Sequence, residues 1–323
     1  MLTRRPPGSH PPRPAVALLA GGVGAARFLR GLVRHVPQSR LTVAVNTGDD
    51  EEFYGLHVSP DLDTITYTLA GVVDPRQGWG LAGDSFAALG ALARFYGAPW
   101  FRLGDRDLGT HIFRTARLKQ GAPLSAVTAE IARRFGVRAR VLPMSDDRVR
   151  TFVRLKRGGL VPFQDYFVRR RFRARVQAIE LRGLFRARPL PALLEAIARC
   201  AAVILAPSNP FVSLGPILRL SGVAAALRKV RPRVAAISPL IRGRAVKGPA
   251  HRMMRTLGHQ PSALGVARLY RDVAGIFVLD RSDRRYAEAI ERLGMRPIVT
   301  DILMNSEQAA ARLAKVVLDA VGL

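Results

Sequence analysis

Short apolar runs alternate with helical patterns along most of this chain. The runs are rich in Val, Ile, Leu and Ala, which is typical of strands buried on both faces of a parallel sheet. They lie at 15–20, 41–45, 137–142, 203–206, 234–237, 276–279 and 297–299. Helices are predicted at 25–34, 65–70, 84–96, 112–120 and 124–135. This alternation predicts an α/β fold, a three-layer Rossmann-like architecture in which helices cover both faces of a mostly parallel sheet.

Two stretches fall outside this alternation. Residues 1–14 are rich in Pro and Arg, which predicts a disordered N-terminal extension. Residues from about 150 to 182 mix β-branched and aromatic residues with many arginines and contain a turn at Gly158-Gly159. We therefore predict a single α/β domain at 15–323 that carries a small hairpin-containing insertion at about 150–182.

The first apolar run ends in a glycine-rich turn. Gly21, Gly22 and Gly24 allow a tight turn and a close approach of the backbone to a ligand. The amides of the following helix, from Ala25 onward, and the helix dipole favour a phosphate there, and Arg27 can add a guanidinium. No lysine completes a Walker A loop, and Arg27 stands where a dinucleotide fingerprint needs its third glycine. The alternative is a plain tight turn.

Acidic residues gather in three short loops. The six are Asp49, Asp50, Asp61, Asp63, Asp105 and Asp107. Oxygen ligands suit Mg²⁺, which usually takes one or two carboxylates together with substrate phosphates, and a carboxylate can also accept a proton. The alternatives are helix caps and local Asp–Arg pairs. For Asp63 the alternative is an N-cap of the helix predicted from residue 65.

Further polar candidates follow the strand predicted at 203–206. Ser208, Asn209 and Ser213 suit a second contact to an anion or a nucleobase, and the alternative is a capping turn. Trp79 and Trp100 can stack on a flat ligand or can belong to the core.

The net charge of +27 is large and comes mostly from arginine, because lysine occurs at only five positions. A basic chain can bind nucleic acid, but this skew indicates a compositional origin, and we predict no nucleic-acid partner. The densest run, 169–175, is predicted to be solvated or at a dimer edge, away from the strand-end motifs. No apolar run reaches the roughly 18 residues of a membrane span, so no membrane partner is predicted. One cysteine, Cys200, suits a core thiol and the cytoplasm.

Six motifs, taken together and in order, resemble those of the 2-phospho-L-lactate transferases of coenzyme F(420) biosynthesis. They are LAGGVGAAR at 19–27, VNTGDD at 45–50, PDLDT at 60–64, GDRD at 104–107, LPMSDD at 142–147 and APSNP at 206–210. The resemblance runs from about residue 15 to 320. Each motif is weak alone, whereas the set is specific.

The resemblance implies a homodimeric transferase with Mg²⁺ as cofactor. The implied donor is a three-carbon acid (phospholactate, phosphoenolpyruvate or phosphoglycerate) linked to guanosine diphosphate. The implied acceptor is the deazaflavin Fo, whose ribityl hydroxyl attacks the phosphorus nearer the acid. GMP then leaves, and coenzyme F(420)-0 or its dehydro form is the product.

The resemblance also assigns residues. Asp63 is expected to contact the Fo hydroxyl or the metal, and Asp49 or Asp50 to serve the metal, so these three are the catalytic candidates. Arg102 stands where archaeal members carry a lysine that contacts Fo. The donor side is predicted to consist of the glycine loop and the turn after residue 206, namely Gly21, Gly22, Gly24, Ala25, Arg27, Ser208, Asn209 and Ser213.

Two other functions remain open at this point. A nucleotide-binding oxidoreductase is one, because Asp49 follows the second strand, about where a ribose-binding acid would stand. A basic nucleic-acid-binding protein is the other, suggested by charge alone.

Overall fold

The computed structural model of the protein describes residues 15–323, so the extension predicted at 1–14 lies outside the described residues. Its strands are β1 Val16–Ala20, β2 Leu41–Val45, β3 Glu51–Phe53, β4 Leu56–Val58, β5 Arg140–Pro143, β6 Arg150–Leu155, β7 Leu160–Pro162, β8 Val176–Arg182, β9 Ala202–Leu205, β10 Val234–Ile237, β11 Leu240–Ile241, β12 Arg244–Ala245, β13 Ile276–Asp280 and β14 Arg296–Thr300. Its helices are α1 Gly22–Leu32, α2 Pro60–Leu69, α3 Ala87–Tyr96, α4 Asp105–Lys119, α5 Leu124–Arg134, α6 Pro191–Arg199, α7 Leu214–Leu218, α8 Val223–Lys229, α9 Ala250–Thr256, α10 Ala263–Tyr270, α11 Ala287–Glu291 and α12 Glu307–Ala320.

Seven strands form the central sheet in the order β14-β13-β10-β9-β1-β2-β5. Every pairing in it is parallel, and Leu18 of β1 lies between Val43 of β2 and Ile204 of β9. The predicted α/β fold is thus confirmed. The chain runs from β1 to β2 on one side and returns to β9 on the other. The loops after β1 and β9 therefore diverge at a topological switch point, where such sheets bind ligands.

Helices cover both faces, because the side chains of each central strand alternate between two cores. Val16, Leu18 and Ala20 pack with α1, α2 and α12, whereas Ala17 and Leu19 pack with α6, α8 and α10. The free thiol of Cys200 is buried in the second core, as predicted. Within residues 15–323, no helix has the combination of length and hydrophobicity that spanning a bilayer requires.

Three helices begin earlier than the sequence predicts, and the first is α1, which begins at Gly22 where residue 25 was expected. The helix predicted from residue 65 begins at Pro60, with Ser59 as its N-cap and Asp61 and Asp63 in its first turn. The helix predicted from residue 112 begins at Asp105, so Asp105 and Asp107, which the sequence placed in a loop, belong to α4. Proline is favoured at the first helical position, and acidic residues there stabilise the positive end of the helix dipole. The N-cap interpretation of Asp63 is therefore wrong.

Residues 150–182 form a separate antiparallel sheet with strand order β7-β6-β8. The β6–β7 turn uses Gly158 and Gly159, both at positive φ. A π-helical turn at Asp165–Arg169 then precedes β8. The apolar side chains of this unit pack on Val212, after β9, and on Met253 of α9. The unit therefore stands over the carboxyl ends of the central strands.

Candidate functional site

The loops after β1 and β9 open into one cavity of about 670 Å³. Sites for small molecules usually enclose about 300–1,000 Å³. Most of the residues predicted for the site line it, namely Gly21, Gly22, Gly24, Arg27, Asp49, Asp63, Arg102, Ser208, Asn209 and Ser213. Trp79 and Trp100 line it as well. Ala25 and Asp50 do not, because Ala25 packs into the core beneath α1 and Asp50 lies behind the cavity wall.

The glycine loop and the loop after β9 form one continuous wall. The Ser208 hydroxyl donates a hydrogen bond of 2.8 Å to the Gly21 carbonyl. A Cβ atom on Gly24 would lie 2.4 Å from the Pro207 carbonyl oxygen, so only glycine permits this approach. Gly22 has a φ of +71°, which glycine adopts without strain. The two loops that the sequence assigned to the donor are therefore held together.

Asp61 ties this wall to α2. Its carboxylate accepts hydrogen bonds from the Gly22 amide at 2.8 Å and from the Asn46 side-chain amide at 3.0 Å. Burial raises the pKa of Asp61 to about 6, and these two hydrogen bonds offset part of that effect. Asp61 was one of the six acids of the sequence pattern but received no assigned role there. The structure places its carboxylate at the start of α1, where it accepts a hydrogen bond from the Gly22 amide.

Asp49 faces Asp61 across the cavity floor. Burial first, and then the nearby Asp61 carboxylate, raise the pKa of Asp49 well above its usual range. Its Oδ1 is buried and has no hydrogen-bond partner among residues 15–323. Two buried carboxylates that repel each other, one with an unpartnered oxygen, form an oxygen-only donor set that fits a divalent cation such as Mg²⁺.

Residues 15–323 supply too few ligands for a metal site made of His, Cys, Asp and Glu side chains alone. Among the described residues, no group of three or more His, Cys, Asp or Glu side chains could hold a metal ion. Mg²⁺ usually takes one or two carboxylates and completes its shell with substrate phosphates and water. The Asp49–Asp61 pair beside the glycine loop fits that mode.

Asp63 has a different environment. Arg114 of α4 donates to both of its carboxylate oxygens, from Nη1 to Oδ2 at 3.1 Å and from Nη2 to Oδ1. His111 Nδ1 lies 3.7 Å from Asp63 Oδ2, and His111 Nε2 lies 3.4 Å from Asp107 Oδ2. Burial raises the pKa of Asp63, and the Arg114 charge opposes that rise. Asp63 therefore faces the cavity as part of a buried ionic network.

Arg114 is the member of this network that the sequence did not indicate. It is only 2% exposed and is the largest fully buried side chain among the described residues. A signal was present, since Asp107, His111 and Arg114 recur at spacings of four and three, which places them on one face of α4. The sequence could not indicate that this face meets Asp63 of α2.

Asp50 is held behind this network. Its Oδ2 accepts hydrogen bonds from the Ser59 hydroxyl at 2.7 Å and from His57 Nε2 at 3.0 Å. These contacts fix the turn after β2 and thereby orient the neighbouring Asp49. The Oδ1 of Asp50, like that of Asp49, is buried and has no hydrogen-bond partner among residues 15–323.

Aromatic side chains line two parts of the cavity. Phe163, Phe167 and Phe172 of the 150–182 unit form a stacked row with centroid distances of 5.4 and 5.7 Å. Trp100 lines another part of the cavity, where Arg102 also lies, with its guanidinium 4.0 Å from the Phe86 ring centroid. Aromatic walls of this kind suit a flat heterocycle.

The arginine run at 169–175 is not remote from the site, contrary to the sequence interpretation. Arg171 and Phe172 line the cavity, and both have positive φ, 51° and 44°. The reason lies in the tertiary packing of this unit. The 150–182 unit folds back over the central sheet, whereas its sequence suggested an irregular insertion at the periphery.

Comparisons with known proteins agree with this arrangement. Residues 16–319 match the family model described as "2-phospho-L-lactate transferase CofD". A phosphoenolpyruvate transferase of Streptomyces griseus is 40% identical over 309 residues, which cover 94% of this chain and 97% of that protein. A 2-phospho-L-lactate transferase of Methanosarcina mazei is 37% identical over 303 residues, covering 94% and 99%.

Solved structures show the same fold. The crystal structure of a member of the UPF0052 family from Bacillus halodurans superimposes with a TM-score of 0.61 at 17% identity. The match covers 95% of this chain and 99% of that one. The family match over nearly the whole length, with relatives well above 30% identity, establishes that this chain belongs to the 2-phospho-L-lactate transferase family and is a transferase.

Proposed function

We propose that the protein transfers a phospho-three-carbon-acid group from a guanosine-diphosphate-linked donor to the deazaflavin Fo. The transferred group is phospholactyl, phosphoenolpyruvyl or phosphoglyceryl, GMP is released, and the product is coenzyme F(420)-0 or its dehydro form. The observation that carries this proposal is that the glycine loop and two buried carboxylates share one cavity with aromatic walls. Both named relatives are transferases of phosphorylated three-carbon acids.

The donor is assigned to the wall made by the loops after β1 and β9. The α1 amides after Gly22, together with Arg27 and Asn209, offer hydrogen-bond donors to phosphate oxygens and to the guanine edge, and Ser208 holds this wall together by donating to the Gly21 carbonyl. Asp49 and Asp61 would hold Mg²⁺, which when bound neutralises charge on the donor phosphates. The structure leaves Asp63 less free for the metal, because Arg114 engages both of its oxygens.

Fo is assigned to the opposite wall. The aromatic side chains would stack on the deazaflavin, and Arg102 would contact its polar edge. Asp63 keeps free lone pairs beside the cavity, so it can accept a hydrogen bond from the ribityl hydroxyl. The hydroxyl oxygen bonds to the phosphorus nearer the acid, the bond from that phosphorus to the oxygen of departing GMP breaks, and the hydroxyl proton is released to the phosphate of the departing GMP. Such transfer depends mainly on positioning and charge neutralisation.

The homodimer and the cytoplasmic location belong to the same proposal, by analogy with the family. Light scattering on the purified protein is expected to give twice the chain mass of 35.3 kDa. A mass of one chain would contradict the dimer.

Gly22→Val is expected to weaken GDP binding by at least about tenfold, or roughly 1.4 kcal/mol. A β-branched residue at a φ of +71° strains the loop, and its side chain occupies the space where phosphate would approach. Isothermal titration calorimetry measures the change.

Gly71→Val is the matched control for this variant. Gly71 has a φ of +73°, its Cβ would meet nothing within 4 Å, and it does not line the cavity. Both variants carry similar backbone strain, so only Gly22→Val should lose GDP affinity. Equal affinities in the two folded variants would refute the assignment of the glycine loop to the donor.

A further inference from the structure

Two of the cations that line the cavity, Arg27 and Lys247, lie close enough to repel each other beside the glycine loop. Arg27 projects from α1, and Lys247 lies between β12 and α9; both line the cavity. Within residues 15–323, neither side chain forms an ion pair with a carboxylate, whereas the buried Arg114 is neutralised by Asp63. Unpaired arginines are common on the surface of so basic a chain. Two uncompensated cations that line one cavity and lie close enough to repel each other are a different situation.

The two charges interact with each other. Burial, and then the nearby Arg27 charge, lower the pKa of the Lys247 ammonium. A protein tolerates such repulsion where an anion arrives to relieve it, and phosphate is the anion that guanidinium and ammonium groups bind best.

Lys247 is also fixed in place. Its Nζ donates a hydrogen bond of 2.9 Å to the Gln77 carbonyl, which leaves two of its three N–H donors for a ligand. The Gln77 loop in turn packs on the glycine loop, since a Cβ on Gly78 would lie 2.8 Å from Val23 Cγ1. Lys247 is thereby tied to the segment that borders the start of α1.

We propose that Lys247 and Arg27 form a two-cation clamp that binds the diphosphate group of the donor. This inference rests on the proposed function. It adds Lys247, a residue far from the glycine loop in sequence, to the donor site. Arg27 supplies a planar fork of N–H donors and Lys247 a compact charge from the opposite loop, so the clamp recognises charge density and not the nucleoside.

The test compares Lys247→Met with the wild type by calorimetry. GDP affinity is expected to fall at least tenfold and GMP affinity less than threefold, because GMP lacks the second phosphate. Lys247→Arg should restore GDP affinity to within about threefold of wild type, since it keeps the charge. In turnover, the KM for the guanylated donor should rise while the KM for Fo stays unchanged.

Lys229→Met is the matched control, because Lys229 lies in α8 outside the cavity and the substitution removes the same charge. Equal GDP affinity in Lys247→Met and the wild type would overturn the clamp. A raised donor KM with unchanged GDP affinity would overturn it too, since the contact would then be to the acid portion. If the wild type itself fails to bind GDP, the proposed function fails before the clamp is tested.

Discussion

Arg114→Met is expected to lower the free energy of unfolding by about 3–5 kcal/mol. Arg114 is 2% exposed and pairs with Asp63 through both of its Nη atoms. Its removal leaves the Asp63 carboxylate buried and uncompensated, and that desolvation cost is the source of the loss. Urea unfolding followed by circular dichroism measures it.

Two further variants separate the ion pair from general damage to α4. Arg117→Met removes a charge from the same helix, where its side chain is 43% exposed, and should change stability by no more than about 0.5 kcal/mol. The double variant Arg114→Met with Asp63→Leu should regain most of the loss, because no charge then remains unpaired. A double variant that loses the sum of the two single effects would show that the pair does not stabilise the site as described.

The ion pair between Asp63 and Arg114 also limits what the variant Asp63→Asn can show about catalysis. A neutral side chain there leaves Arg114 buried without its countercharge, so a loss of turnover would combine a loss of stability with the loss of a hydrogen-bond acceptor. Asp49 is the cleaner target for a functional test.

Asp49→Asn is expected to reduce turnover at least a hundredfold, equivalent to about 2.7 kcal/mol in the activation barrier. The reason is the loss of one of the two charges assigned to Mg²⁺. The same variant should be more stable than the wild type in the absence of ligand at pH 8. Asparagine places no charge in the buried position, so the cost of burying the Asp49 carboxylate is removed.

The pH dependence has a definite sign. Burial raises the pKa of Asp49 well above its model-peptide value and that of Asp61 to about 6, so the folded state binds these protons more tightly than the unfolded state does. The stability of the ligand-free wild type is therefore reduced by these groups as pH rises from about 4 through their raised pKa values. The stability gap between Asp49→Asn and the wild type should widen over that window, as thermal melting at several pH values would measure.

Asp272→Asn serves as the control, because Asp272 is 74% exposed and outside the cavity. It should leave both turnover and the pH profile of stability unchanged. Addition of Mg²⁺ with GDP should raise the melting temperature of the wild type more than that of Asp49→Asn. Near-normal turnover in Asp49→Asn would show that Asp49 is not needed to bind Mg²⁺, which contradicts the role assigned to it.

The sequence was most informative where burial alone decides structure. The strand at 41–45 has the predicted bounds. A short apolar run of this kind is typical of a parallel strand that is buried on both faces of the sheet. The helix starts at Pro60 and Asp105 were missed because a polar first turn resembles a loop in sequence. The acids that looked like loop residues are those that helix N-termini favour.

The site was predictable in outline and not in its pairings. Strand-end motifs could be assigned to one edge of the sheet because parallel strands bring their carboxyl ends together. The partner of Asp63 could not be predicted, because Arg114 lies 51 residues away in the sequence. The two residues meet only when α4 packs against α2. Three further residues reach the cavity only because their segments fold over the central sheet, namely Arg171, Phe172 and Lys247. No local sequence pattern predicts such a long-range contact.

The most direct test of the proposed transfer is mass spectrometry of the reaction of the purified protein with Fo, Mg²⁺ and each of the three guanylated donors in turn. We expect a product with the mass of Fo plus one phospho-acid group, formed together with one equivalent of GMP, from at least one donor. Fo recovered unchanged with all three donors, from protein that binds GDP and is folded, would contradict the proposed function.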